Sequence, residues 1–289
     1  MTTTQPQVLA CIDGAALTES VCDYAAWISE KTEAPLKLLH TINHHHETSI
    51  TADFSGNIGL GTQEHLLEEI TNLEQQQSKL KMQQGKLILQ AAQEHIEKKG
   101  ISNLSSTQRH GDLIEAVIDL ESETRVLVLG LRGQVHETQE SQIGAKLEAV
   151  IRALHRPILI VNDTFNTPER IMIAYDGSEA ADKAVDMVAT SPLYKNLVCH
   201  LVCVNKNETT AAKLLEQAAK KLQTADSIEV ISAKLAGKAE QELCAYQQQH
   251  NIDLTVMGAF SHTRLHDMLL GSFTHKMLIN SKIPLLLLR

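Results

Sequence analysis

The chain has 289 residues, 43% of them hydrophobic and 21% charged, which suits two soluble domains of ordinary size. A formal charge of −9 provides no positive footprint for a phosphate backbone and excludes nucleic acid as the main partner. The opening MTTTQPQV has neither a basic nor an apolar leader region, no apolar run reaches bilayer length, and the cysteines form no CxxC pair, so a cytoplasmic protein away from the membrane is expected.

In chain order, VLACIDGA (Val8 to Ala15) reads as a buried strand ending in Asp13-Gly14. The stretch from His44 to Gly100 opens as a polar loop and continues as a long Gln/Glu/Lys-rich helix over 62–99. Leu66, Leu73, Leu80 and Leu87 recur every seven residues, with Ile70 between the first two, which is a coiled-coil pattern. Gln77 and Gln84 at the companion positions, and Gly85 interrupting the run, favour instead an amphipathic helix lying on its own domain. Gly111 precedes a helix carrying Leu113, Ala116, Val117 and Leu120 at helical spacing. RVLVLGLRG (Arg125 to Gly133) is a second apolar run ending in glycine, and RPILIV (Arg156 to Val161) is a proline-led strand.

The same marks then return in the same order. IMIAYDGS (Ile171 to Ser178) repeats the first strand and its Asp-Gly turn, Gly237 stands where Gly111 stood, DLTVMGAFS (Asp253 to Ser261) repeats the glycine-ended run, and IPLLLL (Ile283 to Leu288) repeats the closing strand. Continuous apolar runs alternating with helical patterns predict an α/β chain of two tandem Rossmann-like domains, each a five-stranded parallel sheet flanked by helices. The expected division is 1–163, with a long insertion at about 44–85, and 168–289. In the second half the strands fall near 170–175, 197–204, 228–234, 253–258 and 284–288. So short a linker, 162–169, is expected to hold the halves together.

Ligands of doubly wound sheets bind at the carboxyl ends of the strands, where the strand order reverses. In the second half this places Asp176, an acceptor for ribose hydroxyls or an adenine edge, near the loop from Gly258 to Thr274. Gly258 is expected to turn the chain off its strand, and Gly271-Ser272 to open the last helix, whose N–H groups and dipole favour an anion. Ser272 and Thr274 would add hydroxyl donors to phosphate. His262, Arg264 and His266, with His275 and Lys276 just beyond, would make the lip positive.

The loop, Gly258-Ala-Phe-Ser261, nine residues, then Gly271-Ser272, resembles the Gly-x2-Gly-x9-Gly-Ser/Thr signature of the universal stress protein family, with Ser261 in place of the second glycine. The resemblance implies the fold of the adenine nucleotide alpha hydrolases, ATP or AMP binding with Mg²⁺, a role in stress tolerance, and dimerisation through the last strand. In a tandem chain 157–161 would then pair with 284–288 as an internal pseudo-dimer, leaving a homodimer or a separate protein partner open. The cofactor-binding residues it implies are Ala174, Tyr175, Asp176, Cys203, Gly237, Met257, Gly258, Ser261, His262, Arg264, Gly271, Ser272, Phe273 and Thr274.

The first half looks like a degenerate copy. Asp13, Gly130 and Gly133 persist, but ten residues precede Gly144, Ala145 follows it, and the intervening segment brings Glu137 and Glu140 with no Lys or Arg. Weak or no nucleotide binding is expected there, with room for another ligand. Of His44, His45 and His46, only the first and third could share a metal, and no ligand spacing completes a site, so no metal is expected. Cys199 and Cys203 fall within a strand as core residues. No Gly-x4-Gly-Lys-Ser/Thr loop, HExxH or nucleophile elbow is present and no catalytic residue stands out, so a nucleotide-responsive regulatory protein is the expected function. Its rivals are a slow ATPase, or autophosphorylation on Ser261, Thr263 or Ser272, and a nucleotide-free scaffold using the long helix.

Overall fold

The computed structural model describes residues 5–42, 60–133, 144–223, 228–259 and 271–289, with side chains in the second segment from 68 onward. The first half runs β1 (Gln7–Cys11), α1 (Thr18–Thr32), β2 (Leu36–Ile42), α2 (Leu60–Glu97), β3 (Leu104–His110), α3 (Leu113–Asp119), β4 (Thr124–Gly130), α4 (Ala145–Ala153) and β5 (Ile158–Val161). The second runs β6 (Arg170–Ala174), α5 (Glu179–Thr190), β7 (Val198–Val204), α6 (Glu208–Gln223), β8 (Glu229–Leu235), α7 (Ala239–Gln249), β9 (Leu254–Gly258), α8 (Ser272–Asn280) and β10 (Leu285–Leu288).

Strand β1 shows why the apolar runs are continuous. All five of its residues are buried, Val8 and Ala10 toward the layer of α1 and α2, Leu9 and Cys11 toward α3 and α4. Each half forms a parallel sheet in the order third, second, first, fourth, fifth strand, and the two join as β3-β2-β1-β4-β5-β10-β9-β6-β7-β8. The join is antiparallel, with Ile158, Leu159 and Ile160 opposite Leu287, Leu286 and Leu285, which is the pairing expected of 157–161 and 284–288. It covers the apolar edge that each half would otherwise expose.

The linker is fastened at several points. The Asn162 side-chain amide donates to the carbonyls of Ser281 (2.8 Å) and Ile283 (2.9 Å). Phe165 packs edge-on against Tyr24 at 4.8 Å, and the Asp253 carboxylate accepts from the backbone N–H groups of Glu169 and Arg170, both at 2.9 Å.

The long helix departs from expectation in two ways. It passes through Gly85 without interruption, because Gly85 is where the helix touches the sheet: a Cβ there would lie 2.1 Å from Gln108 Nε2 and 2.6 Å from the His40 ring. The helix does lie on its own domain, but through Gly85, Leu89, Ala92 and Ile96, while Leu73, Leu80 and Leu87 face outward. His95 (2.5 Å) and Lys99 (2.7 Å) both reach Asp23 and fasten its end to α1. His40 is buried and its Nδ1 is bonded to the Ile12 carbonyl at 2.8 Å, so its ring has little freedom to retreat. Gly85→Ala is therefore expected to destabilise the fold by ~1–3 kcal/mol, measurable as a lower urea midpoint, although alanine is the better helix former.

Among the described residues, no helix is long and apolar enough to cross a membrane.

Candidate functional site

The order of strands reverses between β6 and β9, and the expected site residues gather at the carboxyl ends of these two strands. Ala174 closes β6 and is half-buried. Tyr175 is buried with its hydroxyl donating to Asp182 at 2.8 Å, so its side chain serves the packing of α5. Burial first, and then that hydrogen bond, push its phenol well above the usual range. Asp176 is exposed, and one of its oxygens accepts from the Ser178 N–H at 2.9 Å. The turn requires glycine: Gly177 has φ +78°, in the left-handed region. Ser178 then caps α5 by accepting from the Ala181 N–H at 3.2 Å. The first half builds the same turn, with Gly14 at φ 80° and Asp13 accepting from the Ala15 N–H at 2.9 Å, but α1 begins later, with Leu17 at its N-cap and no side-chain cap from it.

Cys203 lies buried on β7, the neighbour of β6. Burial and, second, the Asp176 charge raise its thiol, which places these two groups within electrostatic reach of one another. Gly237, ahead of α7, has φ +151°, and a Cβ there would meet the Glu242 carboxylate at 2.3 Å. Met257 is core on the face shared with α7 and α8, so its side chain belongs to the packing.

Gly258 is needed for a reason other than the one expected. A Cβ on it would lie 2.8 Å from Ala180 Cβ, so the missing side chain lets the start of α5, and with it the Asp176 turn, approach the end of β9. On the other side of the same strand end, the Thr274 hydroxyl donates to the Ala259 carbonyl at 2.5 Å and anchors the first turn of α8. That bond uses the proton expected to serve a phosphate. Gly271 is the N-cap of α8 and among the described residues no side chain caps the helix, Ser272 is exposed beside it, and Phe273 packs partly into the core. The structure thus brings Asp176, Gly258 and the N-terminus of α8 together at the ends of β6 and β9. Ser261, His262, Arg264 and His266, and with them most of the expected basic lip, lie outside the described residues. Lys276 is described and is paired with Glu240 at 2.8 Å.

Two participants carried no local signal in the sequence. Leu214 of α6 packs against the turn, 2.7 Å from where a Gly177 Cβ would be, and Ala180 supplies the small surface that receives Gly258.

The crevice of the first half differs from expectation in charge. Its cavity of about 520 Å³ is lined by Asp13 and by Lys81, Arg132 and Lys146, so the described part holds more cations than anions. Glu137 and Glu140, on which the expected repulsion rested, lie outside the described residues. Helix α2 contributes Lys81, Gln84 and Ile88 to this cavity. His44, His45 and His46 are outside the described residues, and among the described ones no three His, Cys, Asp or Glu side chains gather as for a metal.

The cysteines are free and mostly core. Burial pushes the thiols of Cys22 and Cys199 from an ordinary 9.0 up to about 12, and those of Cys11, Cys203 and Cys244 are also raised, with burial the largest cause. Above about pH 9 the unfolded chain releases thiol protons that the native chain keeps, so stability should be level to roughly pH 8 and fall beyond it. Urea unfolding at increasing pH measures this directly.

Comparison with known proteins gives a consistent result. The model of the universal stress protein family matches residues 6–162 and again 204–289. The universal stress protein Slr1230 of Synechocystis is 33% identical, the alignment covering 98% of this chain and 99% of that one. Among solved structures, a universal stress protein from Archaeoglobus fulgidus superposes with a TM-score of 0.74 at 19% identity, covering 98% of both chains. A functionally unknown protein from Pseudomonas aeruginosa gives 0.61 at 15% identity, covering 98% of this chain and 92% of its own. At such identities the two structures speak for the fold alone.

Proposed function

The chain belongs to the universal stress protein family, and from that premise we propose that it is a stress-response regulator holding an adenine nucleotide, ATP or AMP, in its second half. The observation that carries this reading is the N-terminus of α8, to which its N-cap Gly271 gives no side-chain cap, held next to the exposed Asp176 turn by the Thr274–Ala259 bond and the Gly258–Ala180 contact. The first N–H groups of α8 would take the phosphates, where the helix dipole favours negative charge. Asp176 would accept from a ribose hydroxyl or the adenine edge with the oxygen turned away from Ser178, while Cys203 and Ala174 form the floor. Ser261, His262 and Arg264 are proposed to close over the phosphates from the intervening loop. With no cluster of three ligating side chains among the described residues, Mg²⁺ would arrive with the phosphates, which commonly carry it with its waters.

The division of labour is part of the proposal: residues 168–289 hold the nucleotide, and residues 1–163 do not. In place of Ser272 the first half has Ala145, and its Asp13 is pressed against Gly133, where a Cβ would lie 2.7 Å from Asp13 Oδ2. Equilibrium dialysis of the full chain against ATP and AMP tests the reading. Saturation below millimolar nucleotide is expected, and no binding at millimolar nucleotide would favour the scaffold.

A further inference from the structure

We propose that α2 pairs with α2 of a second copy of this chain as an antiparallel two-stranded coiled coil. The stripe that a coiled coil requires is present and is turned away from the protein's own core: Ile70 is 37% exposed, Leu73 59%, Leu80 64% and Leu87 66%. In heptad terms Leu73, Leu80 and Leu87 are d positions, and Ile70, Gln77 and Gln84 are a positions. The opposite face, Gly85, Leu89, Ala92 and Ile96, is already packed on the sheet and on α1, while Lys81 and Gln84 lie at the border between the seam and the first-half cavity, so both contacts can exist at once.

The first half of the helix has a second peculiarity. Residues 68–77 are all exposed, almost three turns of helix. Helices in proteins are stabilised chiefly by packing one face, and among the described residues the side chains of this portion stay open to solvent. An antiparallel copy would cover them. The layers are Ile70 with Leu87 of the other copy, Leu73 with its Gln84, and Gln77 with its Leu80, about a two-fold axis between Ser78 and Lys79. That axis falls at the middle of α2 (Leu60–Glu97), so each exposed arm lies along the packed half of the other helix.

Charge chooses the direction. In the antiparallel arrangement the e positions face one another, and Glu74 meets Lys81 of the other copy twice by symmetry. In a parallel pair, g meets e, which would set Glu69 against Glu74 twice. The remaining g positions, Gln76, Gln83 and Gln90, are neutral and favour neither direction. The glutamines at two a positions weaken the seam but fix its register, as buried polar residues do in other coiled coils.

Sedimentation equilibrium of the full chain provides the test. The wild type is expected to be a dimer at micromolar concentration, and the double variant Leu73→Glu/Leu80→Glu a monomer with unchanged strand content by circular dichroism. Glu74→Lys should weaken the dimer roughly tenfold, and adding Lys81→Glu should restore it. A wild type that stays monomeric at 100 µM, as an upper test concentration on the order of ordinary complexes, would overturn the proposal. So would a dimer that survives the double leucine change, or one that Glu74→Lys tightens, which is the parallel result.

Discussion

Gly271→Asp is expected to remove the proposed nucleotide binding from the full chain while leaving it as stable as the wild type, or slightly more so. The two effects separate because they arise from the same atoms. Gly271 is the N-cap of α8 with φ −54° and ψ 139°, a conformation aspartate adopts without strain. Among the described residues a Cβ there meets nothing closer than Thr274 Oγ1 at 3.9 Å. The new carboxylate would accept from the N–H groups of the first turn and complement the helix dipole, gaining a few tenths of a kcal/mol over glycine. In doing so it would occupy the donors proposed for the phosphates and set a negative charge against them. Loss of charge-assisted hydrogen bonds and the added repulsion together predict binding weaker by about 100-fold or more. Calorimetric titration with ATP, with thermal unfolding of both proteins, measures the two effects separately. The matched change Gly144→Asp, at the N-cap of α4 in the first half, should leave ATP affinity unaltered.

Leu159→Ala should lower the stability of the chain by ~2–5 kcal/mol and Leu286→Asp by more, because the second adds a buried, unpaired charge to the lost packing. These residues face each other across the antiparallel join, 1% and 3% exposed. Both belong to one hydrophobic cluster running from Val8 of the first half to Leu286 of the second, so the loss cannot be confined to one half. Trp27, the chain's one tryptophan, lines the same inter-half cavity as Leu159 and Leu286, and its fluorescence reports on the join. Tryptophan fluorescence and far-ultraviolet circular dichroism should give a single coincident urea transition, shifted downward in both variants. A second half that kept its own transition and its ATP affinity after Leu286→Asp would mean that the join is only adhesive.

Much of this architecture could be read from residue order. Buried strands of a parallel sheet need continuous apolar runs, and a turn with positive φ needs glycine, so the doubled Asp-Gly turns and glycine-ended runs mark the same places in both halves. The pairing of 157–161 with 284–288 followed from the resemblance to the family combined with tandem arrangement, and the strands pair in that way. What could not be read depended on contacts distant in sequence. Gly85 appeared to break a helix, yet it is there to admit His40 and Gln108 from two strands. The outward direction of Leu73, Leu80 and Leu87 could not be read either, because periodicity gives a stripe but not the direction in which it points. At the site, Gly258 was read as a turn and proved to be a contact for Ala180, and the Thr274 hydroxyl was assigned to phosphate although the Ala259 carbonyl takes it. Lys276 was counted toward the positive lip without its partner Glu240, which lies 36 residues earlier. In the first half, the cations of the crevice include one from the long helix, a neighbour that no local motif identifies.

The most direct test of the central claim is a crystal structure of the full chain grown with ATP. The account predicts one nucleotide per chain, its phosphates on the backbone N–H groups of residues 272–274 and its ribose or base against Asp176, with no nucleotide near Gly144. A nucleotide bound in the first-half crevice, or an α8 mouth filled by the protein's own side chains, would contradict it.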